Sequence, residues 1–278
     1  MKKTLLLIAA FVAVFSIAAC NKQEKEEDET KKAEITVAKD NLVTWFDFEG
    51  SAADKLGKLT VNKATHQFTA TRNGKALKGV EGGYLLYDVP ADSKLLTMKA
   101  FTVSMWLKQA PIPTTQPPVP CFFEFVVPDA FWGSFAMSID RLGNEETPSD
   151  ILTLKIFSKL ADEKDFWFTD GAGDCGIAGN RWNHLIYTYD GAGKFHVYLN
   201  GTDVTPEGKD VINPANAVDF SATKQLIIGG WQNKVIGGAN DEWMGDFLGE
   251  MDEFRIYDIA LSADQAKALY QAEAANID

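Results

Sequence analysis

Short segments that alternate apolar and polar residues recur along this chain, with turn residues between them. The clearest is Phe101-Thr-Val-Ser-Met-Trp-Leu-Lys108, which puts Phe101, Val103, Met105 and Leu107 on one side. Successive side chains of an extended strand point to opposite faces, so this pattern marks a strand with one buried face. Residues 42–48, 134–140, 151–157, 185–189, 194–199, 225–228 and 251–256 behave similarly. The segment 194–199 lies between Asp190-Gly-Ala-Gly193 and Asn200-Gly201, and both flanks tolerate the positive φ of tight hairpin turns. Many such strands with little helix predict an all-β chain, a two-sheet antiparallel β-sandwich or a barrel. One short C-terminal helix is predicted from Ser262-Ala-Asp-Gln265, a capping box, with Ala266, Leu269 and Tyr270 as its apolar stripe. Residues 110–120 carry five prolines and read as a stiff extended loop rather than a strand.

The N-terminus reads separately. Lys2 and Lys3 precede an apolar run over residues 5–15, the pattern of a secretory signal spanning residues 1–19. That run is shorter than the ~20 apolar residues a membrane span needs. It ends in Ile17-Ala-Ala-Cys20, which resembles a bacterial lipobox. The resemblance implies acyl chains on Cys20 and a membrane contact through that anchor alone. Residues 20–38 are rich in Glu and Lys and bury too little to order themselves, so they read as a tether. The acidic run at 24–29 is similar to the export signal of some Gram-negative surface lipoproteins. An outer-membrane anchor facing the outside and one facing the periplasm both remain open. Residues 39–278 then form one domain.

A net charge of −12 disfavours nucleic acid as a partner, because phosphates need a basic footprint. Cys121 and Cys175 either pair in an oxidising compartment or stand as separate thiols, with Cys121 buried in a strand. His66, His184 and His196 each sit singly in strand-like contexts and read as satisfied, half-buried residues. Gly171-Ala-Gly-Asp-Cys-Gly176 is followed by a strand-like stretch, which argues against a phosphate cradle.

Read in order, a series of motifs resembles the laminin-G-like, concanavalin A-like jelly-roll domains of bacterial secreted proteins. The series opens with Phe46-Asp-Phe-Glu-Gly50, followed by Asp54 and Gly57. Gly74-Lys-Ala-Leu77, Gly82-Gly-Tyr84 and Phe101-Thr-Val-Ser-Met-Trp106 continue it. Trp182-Asn-His184, Tyr189-Asp-Gly191, Val197-Tyr-Leu-Asn-Gly201 and Ile227-Ile-Gly-Gly230 come next. Gly249-x-x-Asp-Glu-x-Arg-x-Tyr257 and Ala260-Leu-Ser262 close it, so the likeness covers about residues 42–270. It implies a concanavalin A-like jelly roll. It also implies a structural calcium ion held by Asp252 with Glu49 and Asp54. Without a metal, Asp252 would cap a turn or pair with Arg255. The insertions at 130–150 and 231–247, with the proline-rich loop, depart from the family pattern, and such loops carry specificity.

Related jelly rolls include retaining glucanases with a Glu-x-Asp-x-Glu or Glu-x-Asp-x-x-Glu strand. Here Glu250 and Asp252 share a face, with Cα atoms about 6.6–6.8 Å apart along a strand. Glu253 falls on the opposite face, and Phe254 and Arg255 stand where a third carboxylate would be. A retaining mechanism needs two carboxyl groups about 5–5.5 Å apart with one kept protonated, so the chain does not read as an enzyme. Trp132, Trp231 and Trp243 lie in the insertions among Gly, Asn and Asp. They either pack their loops or present rings to the apolar face of a sugar. In the second case Asn233, Asn240 and Asp241 are the candidates for its hydroxyls. The leading expectation is a non-catalytic glycan-binding lipoprotein of the cell envelope. The alternative is a protein-interaction or structural module there, with a glycoside hydrolase as a minor third reading.

Overall fold

The computed structural model describes residues 37–141, 152–162, 164–169, 176–212, 217–238 and 241–277. The signal, Cys20, the tether, Cys175 and Asn240 lie outside these residues. In chain order the strands begin with β1 (Leu42–Phe46), β2 (Thr60–Ala64), β3 (Gln67–Thr71), β4 (Gly74–Lys78) and β5 (Leu85–Asp88). Then come β6 (Phe101–Lys108), β7 (Val119–Val126), β8 (Phe135–Arg141), β9 (Leu152–Lys159) and β10 (Asp165–Thr169). The chain continues through β11 (Trp182–Tyr189), β12 (Phe195–Leu199), β13 (Thr202–Asp203) and β14 (Gln225–Ile228). A single-turn helix α1 (Gln232–Val235), β15 (Met244–Gly245), β16 (Glu250–Tyr257) and helix α2 (Ala263–Ile277) complete it.

These strands make two sheets of eight. The first runs β13-β12-β11-β6-β16-β4-β3 with β1 beside β16, and the second runs β10-β9-β8-β7-β14-β5-β2 with β15 beside β7. Pairing is antiparallel throughout except for the two-residue β15 against β7. Phe101, Val103, Met105 and Leu107 all point into the space between the sheets, as their alternation requires. They meet Phe123, Phe125, Phe135 and Met137 from the second sheet. Phe101 meets Phe135 edge-on with ring centres 5.2 Å apart, and Phe123 meets Phe254 at 5.0 Å. Such offset contacts add to the large apolar area the rings remove from water.

The closing segment departs from simple alternation. The ladder between β16 and β6 shifts register between Asp252 and Arg255, where Glu253 adopts φ 52°. This bulge inserts one residue, so Glu253 does not lie opposite its neighbours as expected. It turns to the outer side, where its carboxylate pairs with the Arg255 guanidinium and accepts from Trp45 Nε1 at 2.7 Å. Phe254 keeps its place in the core.

The capping box forms as read. Ser262 Oγ accepts from Gln265 N at 3.3 Å, and Gln265 Oε1 accepts from Ser262 N at 2.9 Å. The helix it starts is longer than a short stripe suggests, at 15 residues. Ala266 and Leu269 cover Ile186, Tyr198 and Tyr257, sealing the outer face of the first sheet. The proline-rich stretch ends as a loop at Pro118, because Val119 and Pro120 already belong to β7.

Candidate functional site

The outer face of the second sheet is built differently. Along β8, Met137 and Ile139 enter the core, so Ala136, Ser138 and Asp140 face outward. Along β9, Leu154 and Ile156 turn in, and Lys155 and Phe157 turn out. Ser138 stands opposite Lys155 in the ladder. Asp140, two residues further on the same face, therefore reaches Lys155 diagonally, and the two form an ion pair. Trp167 of β10 lies opposite Phe157 and is 39% exposed.

Two loop segments rise over this face. The stretch before β8 brings Trp132, and the stretch between β14 and β16 brings Trp231 and Trp243. Trp132 is the hub: its ring centre lies 4.9 Å from Trp167, 5.8 Å from Trp231 and 5.7 Å from Trp243. Together these indoles, with Ser138, Asp140 and Lys155, line a cleft of about 480 Å³. Trp231 is the floor, 1% exposed, with its N–H donating to Val119 O at 2.8 Å. Trp132 and Trp243 are half-buried walls, and Trp167 forms the rim. Indole faces suit the C–H surface of a sugar ring, and the ion pair supplies a donor and an acceptor for its hydroxyls.

The structure therefore brings together Trp132, Trp231 and Trp243 but does not bring Asn233 or Asp241 to them. Asn233 is buried and donates to Phe131 O at 3.0 Å, beside a separate hollow lined by Phe131, Ile236 and Gly237. Asp241 is exposed and accepts from Trp243 Nε1 at 3.0 Å, which fixes the indole rather than facing the cleft. The polar groups of the cleft are Ser138, Asp140 and Lys155 on the strands, and Trp167 is a fourth ring that sequence reasoning missed. The alternation in Asp165-Phe-Trp-Phe-Thr169 is the signal that could have found Trp167.

The three carboxylates expected to hold calcium do not form a cage. Asp54 uses one oxygen to accept from Trp45 N and Leu56 N and the other from Lys58 N and Leu59 N, at 2.8–3.1 Å. Glu49 accepts from Lys75 N at 2.9 Å, and Asp252 accepts from Glu253 N at 2.8 Å. Among the described residues no three His, Cys, Asp or Glu side chains gather in a group that could hold a metal ion. Asp54, whose two oxygens already take four N–H bonds, would have to surrender some of them to meet a cation. Cys121 is free and fully buried in β7, where burial pushes its thiol pKa well up and Glu124 adds to the effect.

One constellation resembles a hydrolase triad. Ser104 Oγ lies 2.7 Å from His184 Nε2, and the same nitrogen is 3.8 Å from Glu273. Its geometry is wrong for a relay, because serine and carboxylate both address Nε2 while Nδ1 has no partner. Ser104 and His184 are fully buried beneath α2. Burial, and then the charge of Arg255, lower His184 to about 3, leaving a poor base. The group is structural: the imidazole stacks on Trp106 at 4.9 Å, and Glu273 pairs with Arg255.

A family model described as the concanavalin A-like lectin/glucanases superfamily, of the laminin G type, matches residues 82–267. No curated protein matches the sequence. Solved structures do resemble the fold. The receptor binding domain of botulinum neurotoxin D aligns with a TM-score of 0.58 at 13% identity, over 84% of this chain and 53% of that one. The serotype D ligand binding domain in complex with N-acetylneuraminic acid aligns at 0.58 and 14%, over 84% and 51%. The binding domain of Paraclostridial Mosquitocidal Protein 1 aligns at 0.61 and 16%, over 83% and 52%. The chain thus spans about half the length of these structures, and at such identities the likeness shows the fold alone.

Proposed function

This chain belongs to the concanavalin A-like lectin/glucanase superfamily, and we propose that it is a non-catalytic carbohydrate-binding protein whose tryptophan cleft takes the glycan. The observation that carries this reading is the cleft itself: four indoles around about 480 Å³, with the Asp140–Lys155 pair on the strand side. Its size falls within the ~300–1,000 Å³ of small-molecule sites, and its mix of apolar rings with few polar groups is typical of them. The ion pair leaves no net charge in the lining, and the chain carries −12 overall. Both favour neutral sugars, whose neighbouring hydroxyls can accept from Lys155 and donate to Asp140. An acidic sugar would compete with Asp140 for the one lysine. The complex with N-acetylneuraminic acid belongs to a relative in fold, and no acidic specificity is carried over from it.

The test is a glycan array followed by calorimetry on the protein and on a Trp167→Ala, Trp243→Ala double variant. Binding to a neutral polysaccharide that the double variant loses supports the proposal. A protein that binds no polysaccharide sinks it, and retained binding by the double variant moves the site elsewhere. We further propose that Cys20 carries the lipid of an outer-membrane anchor and that residues 20–38 hold the domain clear of the bilayer. Membrane fractionation of Cys20→Ser checks this, since release into the soluble fraction is expected.

A further inference from the structure

Glu124 is a carboxylate in the middle of the apolar strand β7, fully buried, and the cleft does not contain it. One of its oxygens accepts from Gly133 N at 2.9 Å and the other from Gln232 N at 2.7 Å. Gly133 follows Trp132 in the chain and Gln232 follows Trp231. The two bonds thus tie the separate loops that carry the hub and the floor of the cleft to one point on the sheet. The neighbouring side chains reinforce this tie. Gln232 Oε1 accepts from Val127 N at 3.1 Å, its Nε2 donates to Ala130 O at 2.6 Å, and Asn233 donates to Phe131 O. Among the described residues no other acceptor meets the Gly133 and Gln232 amides.

We propose that Glu124 is the positioning residue of the glycan site: its ionised carboxylate clasps both tryptophan-bearing loops, and its protonation releases one of them and weakens binding. The claim rests on the reading of the cleft as the glycan site. An ionised carboxylate offers acceptors on both oxygens, whereas the protonated form puts a hydrogen on one of them. The hydroxyl oxygen keeps only a weaker, uncharged acceptor site, so the loop bonded to it loses its charge-assisted tie. Burial raises Glu124 to about 7, with the two amide bonds pulling the other way, so both forms are populated near neutrality.

Other titratable and charged groups lie around it. Cys121 on the same strand is buried with its thiol pushed up. On α1, Lys234 is paired with Asp246 at 2.5 Å. Asp129 in the loop and Lys224 before β14 are exposed, and Asp140 and Lys155 are paired with each other.

The experiment compares wild type and Glu124→Gln between pH 5.5 and 8.5. It reads amide exchange protection at Gly133 and Gln232 without ligand, and then affinity for the polysaccharide found on the array. In wild type, protection at one or both amides and the affinity should rise together through about pH 7. The glutamine variant puts an NH₂ against one of the two N–H groups, so its affinity should be roughly ten-fold or more weaker and independent of pH. Unchanged protection in the variant, or flat protection in wild type across the range, overturns the proposal. If the variant does not fold, the wild-type pH series decides alone. If wild type binds no polysaccharide, the glycan reading fails, while the amide measurements still decide whether the clasp exists.

Discussion

Replacing Glu273 by alanine should unseat the C-terminal helix from the sheet it covers. The carboxylate is 5% exposed and meets Arg255 Nη1 at 2.5 Å and Trp106 Nε1 at 2.7 Å. Arg255 is itself fully buried and keeps Glu253 as its other ion-pair partner. Burial alone would lower the Arg255 pKa, but Glu273 and then Glu253 outweigh it and hold it above its ordinary value. Removing one partner of a buried pair costs about 3–5 kcal/mol, because the remaining charge loses its compensation. The Trp106 N–H would also lose its acceptor, but water entering the vacated space offsets part of that loss. A net cost of about 4 kcal/mol is a large share of the ~5–15 kcal/mol that holds a domain together. At ~2–4 °C per kcal/mol for a domain of this size, the melting temperature should fall by about 8–16 °C. Glu273→Gln keeps an acceptor for Trp106 and loses only the charge, so its fall should be smaller. Gln271→Ala, on the exposed side of the same helix, should melt like wild type. Circular dichroism melts of the three variants check the order. A Glu273→Ala protein melting within about 2 °C of wild type would refute the argument that this pair secures the helix.

Other expectations follow from single contacts. Asp54→Ala removes the acceptor of four backbone N–H groups and should cost about 2–4 kcal/mol in chemical denaturation, with or without a chelator present. His184 is lowered to about 3 in the folded state, so the unfolded chain binds the proton first as pH falls below about 6.5. It should therefore withdraw stability between about pH 6.5 and 3, and His184→Phe should melt with a shallower dependence on pH there. Glu124 has the opposite sign: its raised value makes its contribution to stability greatest below about pH 4.5 and lost as pH rises through about 7. Melts should show Glu124→Gln gaining on wild type towards pH 8, even though its affinity stays below that of wild type. Cys121 should resist thiol reagents in the native protein and react only after unfolding, which peptide mapping of the labelled chain will show.

Much of the sandwich was legible because each buried strand face repeats every second residue, as in 101–108, and because the capping box at Ser262 and Gln265 is a local signal. β7 was harder to read, since the prolines before it read as loop and its residues are buried on both faces. Glu124 lies inside that strand, and nothing in its neighbours shows that two loops come back to it. The cleft follows the same logic. Asp140 and Lys155 meet only because β8 and β9 pair in one register, and Trp167 joins them only because β10 pairs beside β9. Glycines and amides surround Trp231 in the sequence, so packing its loop and displaying its ring both stayed open. Its burial depends on a hydrogen bond to Val119, 112 residues away. The face of Glu253 was misassigned because a count of alternating residues cannot detect a bulge.

The two outer faces of the sandwich differ in what they offer a ligand. Covered by α2, the first sheet's outer face holds the reactive-looking side chains, Ser104, His184 and Glu273, where no substrate reaches the buried Ser104 hydroxyl. The open face of the second sheet carries the cleft, and its described lining contains one carboxylate, Asp140. Glycoside hydrolysis on the two-carboxylate plan needs a second acid, about 5–5.5 Å away for retention or ~6.5–9.5 Å away for inversion. Glu124 is the nearest buried acid on that sheet, but both its oxygens are committed to backbone amides beneath the loops. Asp140 is ion-paired with Lys155. An ion-paired acid beside four indoles fits the proposed role of a site that selects a ligand and releases it unchanged.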